Sequence, residues 1–368
     1  MATTPRKKPS KASKSPARKT VTESVAPKAQ PVPRGKSRPV DKPARKKTAS
    51  AAAAPRSSVA GLQLLQVSRD GTCTDAGFQP YDLKKAPLGK DFQLRSLPAS
   101  LPMLNALRIA HRDAAVQQSS HWGLLPPDFT QRTLMTGIEL EAAIADNPGF
   151  DLYYCSANPE LEAVYHNPWR SPAVTHPDFV SISRAFLTAA GLSDAPVDAV
   201  SHSSLFATGN LMVATPAVWS QYLAFVEQVM ETAFGALDRA LAERLYSEVP
   251  TGERMTYLAL ISARLLGVFL MMRNSQFRAL KVPLVKQERA LNPHLRVLRE
   301  MKDIGLEQRS RWHLTSWGTY RGLYLAHVMG KAWVMEHIKA ITPTSALTAV
   351  PVPEVSNPYP RSFQAEPA

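Results

Sequence analysis

The chain has 368 residues, 44% of them hydrophobic, and a formal net charge of +14. This hydrophobic content allows a sizeable core and excludes a wholly disordered protein. The excess charge lies at the N-terminus, where residues 1–56 hold 16 Lys and Arg against Glu23 and Asp41, so the rest of the chain is neutral.

Residues 1–58, the polybasic tail, consist mainly of Lys, Arg, Pro, Ser, Thr and Ala and contain no aromatic residue. Such a segment cannot bury enough apolar surface to offset its ordering entropy, so it is predicted to be disordered. Its cations favour an anionic membrane surface or a nucleic acid as partner, and a solubilising tail without a dedicated partner is the alternative. The lack of aromatic residues argues against base stacking.

Hydrophobic periodicity and turn residues predict strands alternating with helices along the body. Asn147, Pro148 and Gly149 stop a helix just before an aromatic strand, which is typical of a βαβ unit in an α/β protein. The predicted strands are 61–67, 121–125, 150–155, 203–214 and 281–285. The predicted helices are 98–116, 136–144, 179–190, 216–246, 255–272, 291–304 and 320–338.

The predicted domains follow from these elements and from composition. Residues 1–58 form the tail, 59–290 an α/β domain, 291–342 a helical C-terminal region and 343–368 a Pro-rich disordered end. Within the α/β domain, residues 156–177 contain four prolines and are predicted to form a long loop with a helical turn at 160–165. Long loops between regular elements often carry binding residues.

The chain contains two cysteines, Cys73 and Cys155, far apart and without metal-ligand spacing. They indicate free thiols in a reducing compartment. No apolar run reaches the roughly 18 residues of a membrane span, because Arg264 interrupts the closest one at 257–272. No signal peptide follows the basic N-terminus. We therefore predict a cytoplasmic protein without a transmembrane segment. Its tail could hold it at the periphery of a membrane such as the inner membrane.

Short sequence pieces occur in a fixed order along the body, although no nucleotide-loop, zinc or serine-hydrolase motif is present. As an ordered set, these pieces resemble bacterial glycosyltransferase-like proteins of the GT-A type that are associated with surface polysaccharides. The pieces are HWG at 121–123, PDF at 127–129, TG at 136–137, NPG at 147–149, DLY at 151–153, NP at 158–159, NPW at 167–169, HP at 176–177, GNLMVA at 209–214 and WSQY at 219–222.

The resemblance implies a GT-A-like, Rossmann-like mixed sheet flanked by helices. It also implies transfer from a nucleotide sugar to a glycan acceptor, with Mn²⁺ or Mg²⁺ held by an Asp-x-Asp motif. Here the corresponding strand reads Asp151-Leu152-Tyr153, so the second acid is missing. A non-catalytic sugar-binding or scaffolding protein, or a nucleic-acid-associated protein acting through its tail, is therefore the alternative function.

Candidate site residues combine the resemblance with the chemistry of sugars, which need aromatic platforms and directed hydrogen bonds. Of the candidate catalytic residues, Asp151 is a candidate ligand or base and Glu253 a candidate acid/base, and Arg254 is a candidate phosphate clamp. Some of these residues also have a structural interpretation. The Trp169 ring could pack on the core, and Gly209-Asn210 could form a strand bulge. Glu253-Arg254 could simply begin a helix. The other candidate substrate-binding residues are His121, Trp122, Tyr153, Asn158, Asn167, Trp169, His176, Gly209 and Asn210.

Overall fold

The computed structural model describes residues 60–68, 73, 75–82, 101–249, 255–273 and 275–341. The predictions for the polybasic tail, for Glu253 and Arg254, and for the Pro-rich end at 343–368 lie outside these residues.

Among the described residues, six strands form one mixed sheet in the order β2-β1-β3-β5-β4-β6. Five strands run in the same direction, and β5 alone is antiparallel to its neighbours β3 and β4. This confirms the predicted α/β class with a mixed sheet flanked by helices. The strands are β1 Leu62–Ser68, β2 Gln79–Asp82, β3 His121–Leu125, β4 Leu152–Tyr154, β5 Met212–Ala214 and β6 Ala279–Lys281.

Helices cover both faces of the sheet and form the C-terminal part of the described chain. In this part of the chain, no helix has both the length and the apolar composition that crossing a membrane requires. The helices are α1 Pro102–His111, α2 Ala114–Gln117, α3 Phe129–Thr133, α4 Gly137–Asp146, α5 Pro159–Val164, α6 Phe179–Ala189, α7 Ala195–Asp198, α8 Pro216–Ala236, α9 Arg239–Tyr246, α10 Tyr257–Ser262, α11 Leu265–Arg273, α12 Val285–Ala290, α13 Pro293–Glu307, α14 Arg311–Val328 and α15 Lys331–Ile341.

Side-chain alternation along the strands divides the core into one cluster on each face of the sheet. Leu152 and Tyr154 of β4 point to the cluster that contains α6, α8 and α11. Tyr153, between them in sequence, points to the opposite cluster, which contains Leu140 and Ile144 of α4. The short central strands are buried on both faces, which explains their continuous apolar sequence.

The structure differs from the predicted elements where local polar contacts compete with regular structure. The single helix predicted at 216–246 is two helices, because Asp238 caps α9 by accepting a hydrogen bond from Leu241 N–H at 2.7 Å. The strand predicted at 203–214 is reduced to β5, because its first residues form a 3₁₀ turn, Ser203–Leu205. The helices predicted at 255–272 and 320–338 are likewise each divided in two.

A third cluster joins the C-terminal helices to α5. Trp317 of α14 is fully buried, and its indole N–H donates to the carbonyl oxygen of Ala163 at 3.0 Å. Leu298 of α13 belongs to the same cluster. The region predicted as a separate helical part thus packs on the segment that follows β4, and the domain boundary near residue 290 stays a prediction.

Candidate functional site

The carboxyl ends of the parallel strands lie at one edge of the sheet, where ligands bind in open α/β folds. A groove of about 660 Å³, the edge groove, lies among the segments that follow β3, β4 and β6. Its volume is within the roughly 300–1,000 Å³ range of ligand sites. Apolar side chains from α5, α12, α13 and α14 line part of it. Its polar lining residues are Gln131, Arg132, Asn158, Glu160, Tyr165, Gln287, Asn292 and Tyr324.

Arg132 brings a positive charge to the edge groove from α3. Its carbonyl oxygen accepts a hydrogen bond from the Gln287 amide at 2.6 Å, which joins the segment after β3 to α12. The Arg132 guanidinium lies 3.7 Å from the position that a Cβ would take at Gly209. Gly209 has φ +96°, a conformation that favours glycine. The Arg132 guanidinium, which suits phosphate or carboxylate, thus lies beside a loop position that has no side chain, Gly209.

A buried ion pair lies next to the edge groove, on the inner side of α5. Lys281, the last residue of β6, places its Nζ 2.5 Å from Oε1 of Glu162 and 2.9 Å from the carbonyl oxygen of Ser203. Glu162 directly follows groove residues 160 and 161 in sequence. The pair therefore ties the groove wall to the end of the sheet.

The ion pair extends into a buried network with α13. Ser203 donates its backbone N–H and its hydroxyl to the Asp303 carboxylate at 2.8 and 2.5 Å. Lys302 is fully buried and donates to the carbonyl oxygen of Glu162. Burial lowers the pKa of Lys302 to about 8, although the carboxylates of Asp303 and Glu162 oppose this shift. The network fixes α5 and α13 relative to each other.

Ser204 and His202 resemble a nucleophile and its base, but their hydrogen bonds stabilise the local backbone. His202 Nδ1 lies 2.7 Å from the Ser204 hydroxyl oxygen and accepts the Ser204 backbone N–H at 3.1 Å. Since a backbone N–H can only donate, Nδ1 carries no proton. The other ring nitrogen, Nε2, lies 3.4 Å from Glu307 Oε1. The Ser204 residue is only 2% exposed, so a substrate carbonyl has no access to it. The pair stabilises the 3₁₀ turn.

Two predicted site residues lie at the opposite, amino edge of the sheet. His121 begins β3, and its Nε2 lies 2.9 Å from the carbonyl oxygen of Phe150. Asp151 precedes β4, and its carboxylate accepts the backbone N–H of Arg278 at 2.8 Å. Asp151 and Asn158 lie at opposite ends of β4, so the structure does not bring these two candidates together. Asp151 holds β6 to β4.

Three predicted aromatic platforms belong to the core. Trp122 is fully buried and stacks on Trp219 with ring centroids 4.4 Å apart. Tyr153 is 2% exposed and donates its hydroxyl to the carbonyl oxygen of Asn147 at 2.7 Å. Trp169 is also 2% exposed and stacks on a Phe of α6. Their faces are covered by protein, so they offer no surface to a sugar.

Asn167 and His176 support the loop between β4 and α6. The Asn167 amide donates to the carbonyl oxygens of Val197 and Ala199 at 3.0 and 2.8 Å, and its oxygen accepts the Trp169 N–H at 2.9 Å. His176 is buried with its ring beside Tyr257. Both residues therefore maintain the shape of the loop rather than presenting polar groups to a ligand.

Three predicted residues do lie at the carboxyl edge. Asn158 lines the edge groove directly. Gly209 donates its N–H to the carbonyl oxygen of Ala263 at 2.6 Å. Asn210 accepts the Tyr222 hydroxyl at 2.5 Å, which connects the segment before β5 to α8. The structure thus brings Asn158, Gly209 and Asn210 to the edge of the sheet opposite His121 and Asp151.

Sequence reasoning missed Arg132 and the two groove tyrosines. Arg132 lies only a few residues after β3, in the same segment as the exposed Asp128. A search for polar residues within seven positions after each predicted strand would have found both. Tyr165 and Tyr324 lie on distant parts of the chain, and no local signal connects them.

The metal implied by the resemblance finds no matching ligand set. In the parts of the chain that the structure describes, no three His, Cys, Asp or Glu side chains cluster closely enough to hold an ion. No step of the proposed chemistry is therefore assigned to a metal.

No protein family, curated protein or solved structure matches this chain.

Proposed function

We propose that the protein is a nucleotide-sugar-dependent glycosyltransferase, or a degenerate relative of one, that acts in bacterial surface-glycan assembly. The observation that carries this proposal is the edge groove, which lies outside the carboxyl ends of the parallel strands and combines Arg132 with amide and tyrosine side chains. The mixed sheet with one reversed strand is compatible with the GT-A-like fold that the sequence pieces imply.

The groove residues match the parts of a nucleotide sugar. Arg132 supplies a fork of N–H donors for the diphosphate and would stabilise the negative charge that grows on it as it leaves. Asn158 and Gln287 can bond sugar hydroxyls, and the Tyr165 and Tyr324 rings with their apolar neighbours suit the flat base. Glu160 is the carboxylate of the lining and would accept the proton of the attacking acceptor hydroxyl.

A non-catalytic sugar-binding or scaffolding role is the second candidate. It is favoured by the missing second acid after Asp151 and by the lack of a three-ligand cluster in the described residues. It predicts that a nucleotide or glycan binds in the same groove without turnover.

The test is thermal unfolding of the full chain with UDP, GDP, CDP and dTDP and their sugars, each with and without Mn²⁺. A ligand at 100 times its Kd stabilises the native state by about 2.7 kcal/mol, a shift of several degrees. The Arg132→Gln variant should lose this shift for the effective nucleotide. The Arg239→Gln variant, altered on the exposed side of α9, should keep it.

The outcomes separate the candidates. A shift that needs Arg132, together with release of nucleoside diphosphate from the sugar donor, supports the transferase. A shift without turnover in the presence of glycan acceptors supports the non-catalytic role. A flat response to every nucleotide and nucleotide sugar overturns the donor groove, and a shift that Arg132→Gln leaves unchanged places binding elsewhere.

A further inference from the structure

The outer side of α13 and α14 carries large apolar side chains that the fold leaves exposed or half-buried. Val297 and Met301 of α13 and Trp312, Tyr320 and Leu323 of α14 make up this surface, the C-terminal apolar face. Trp312 is 71% exposed, Leu323 65% and Val297 46%. Met301, Trp312, Tyr320 and Leu323 line one shallow cavity of about 390 Å³ together with the hydroxyl residues Thr315, Ser316 and Thr319.

The face follows from the helical register of α14. Residues 312, 316, 319 and 323 recur every three or four positions and therefore share one side of the helix. The opposite side holds Leu314, Trp317 and Leu325, which are buried against α5 and α13. The helix thus has apolar residues on both sides, and folding of the monomer covers one of them. Exposed apolar surface of this kind marks interaction sites.

The charge around the face is positive. Residues 285–341 hold ten Lys and Arg against five Asp and Glu, although Lys302, Arg321 and Asp303 among them are buried and do not contribute to this surface. The sequence of α14 contains two Arg and two His and no acid. Arg309 and Arg311, both exposed, lie beside Trp312 at the start of this helix. On α13, Glu300 next to Met301 and Glu307 at the end of the helix are exposed acids, and Glu307 lies near His202.

We propose that the C-terminal apolar face docks on an anionic lipid bilayer. Trp312 and Leu323 enter the interfacial region, and Arg309 and Arg311 contact the lipid headgroups. Tryptophan prefers this region, and helices with apolar and basic residues bind anionic membranes in the plane of the interface. The proposal is independent of the chemistry assigned to the edge groove.

Two other occupants fit the face less well. A nucleic acid would satisfy the arginines but would gain little from the aliphatic side chains of Leu323 and Val297. A second copy of the chain would bring the arginines of both copies to one interface, which costs electrostatic free energy. An anionic bilayer satisfies both the apolar and the basic part.

The test must separate this face from the polybasic tail, which can also attract anionic lipid. Tryptophan quenching by lipids brominated in their acyl chains makes this separation, because it requires an indole ring in the bilayer. Trp122, Trp169, Trp219 and Trp317 are at most 2% exposed, whereas Trp312 is 71% exposed. Trp333 is half-buried, so a Trp333→Phe variant serves as its control. Attachment through the tail alone would leave Trp312 and the four buried rings unquenched.

The full chain is mixed with vesicles of phosphatidylcholine alone or with 30% phosphatidylglycerol, with and without brominated chains, and binding is also measured by co-sedimentation. We expect binding and quenching on the anionic vesicles, loss of most of the quenching in Trp312→Phe, and little change in Trp333→Phe. The Trp312→Ser/Leu323→Ser variant should bind at least about tenfold more weakly. Ile138→Ser/Met272→Ser, which alters two exposed apolar residues elsewhere, should bind like the parent chain.

Unchanged thermal unfolding of Trp312→Phe establishes that the variant is folded, as expected for an exposed residue. Sedimentation without quenching would overturn the proposal in favour of the tail. Self-association of the chain without lipid that Trp312→Ser/Leu323→Ser abolishes would assign the face to a second copy. Binding of duplex DNA that needs Trp312 and displaces the vesicles would assign it to nucleic acid.

Discussion

Replacing Lys281 by Met would leave the Glu162 carboxylate buried without its nearest cation. The two side chains are 4% and 2% exposed, and their charged atoms are 2.5 Å apart. Loss of one partner of a buried ion pair costs about 3–5 kcal/mol. Arg299 lies 3.7 Å from the other Glu162 oxygen and remains as a weaker partner. Since the bond to the Ser203 carbonyl is also lost, we expect Lys281→Met to lower the free energy of unfolding by about 3–4 kcal/mol.

The companion variants make this a double-mutant cycle. Glu162→Met should cost a similar amount, because it leaves the Lys281 ammonium buried. The double variant should lie within about 1–2 kcal/mol of the parent chain, since two apolar side chains of similar volume replace the pair. Equilibrium urea unfolding followed by tryptophan fluorescence gives all four free energies. Strictly additive losses would refute the reasoning, because they would mean that the two charges do not depend on each other.

Further predictions concern four single positions. Burial lowers the pKa of Lys302 to about 8 from about 10.4 in the unfolded chain, so the unfolded state binds its proton more tightly. This destabilising contribution is complete below pH 8 and disappears as the pH rises to about 10, so urea unfolding across that range should show a gain in stability that Lys302→Met lacks. Gly123→Ala should lower the free energy of unfolding by about 3 kcal/mol in the same assay. The new Cβ would lie 2.7 Å from both the Met212 oxygen and a Val213 methyl carbon. Gly318→Ala on α14, where nothing lies within 4 Å, should instead stabilise by about 0.5–1 kcal/mol, and a loss there would contradict the reasoning. Tyr222→Phe removes the bond to Asn210 and should lower the thermal midpoint by the equivalent of about 1 kcal/mol; an unchanged midpoint would show that this bond contributes nothing to stability.

The regular elements could be predicted where local signals were strong. The apolar strands at 61–67 and 121–125 were predicted within one residue of β1 and β3, and the Thr136 capping box begins α4 where a helix was expected. The strand β2 was missed, because its four residues, QPYD, include a proline and carry no apolar alternation. Such an edge strand forms because β1 offers it a partner.

The candidate site was less predictable than the fold. Residue type alone indicates the aromatic and amide candidates. In the structure, Trp122 packs in the core and the Asn167 amide bonds the backbone of its own loop region. Asn158 lines the edge groove as its type suggested, whereas Arg132 was overlooked. Residue type reports which chemistry is possible at a position, and burial decides whether a ligand can reach it.

The sequence by itself determined the features that depend on near neighbours: the separation of a polycationic tail from a neutral body, the α/β class and the caps that begin helices. Tertiary structure alone decided the reversal of β5, and with it which residues share an edge of the sheet. It also joined Glu162 to Lys281 across 119 positions. These features depend on contacts between distant segments and on exclusion of water. Neither kind of contact produces a periodic pattern in the sequence.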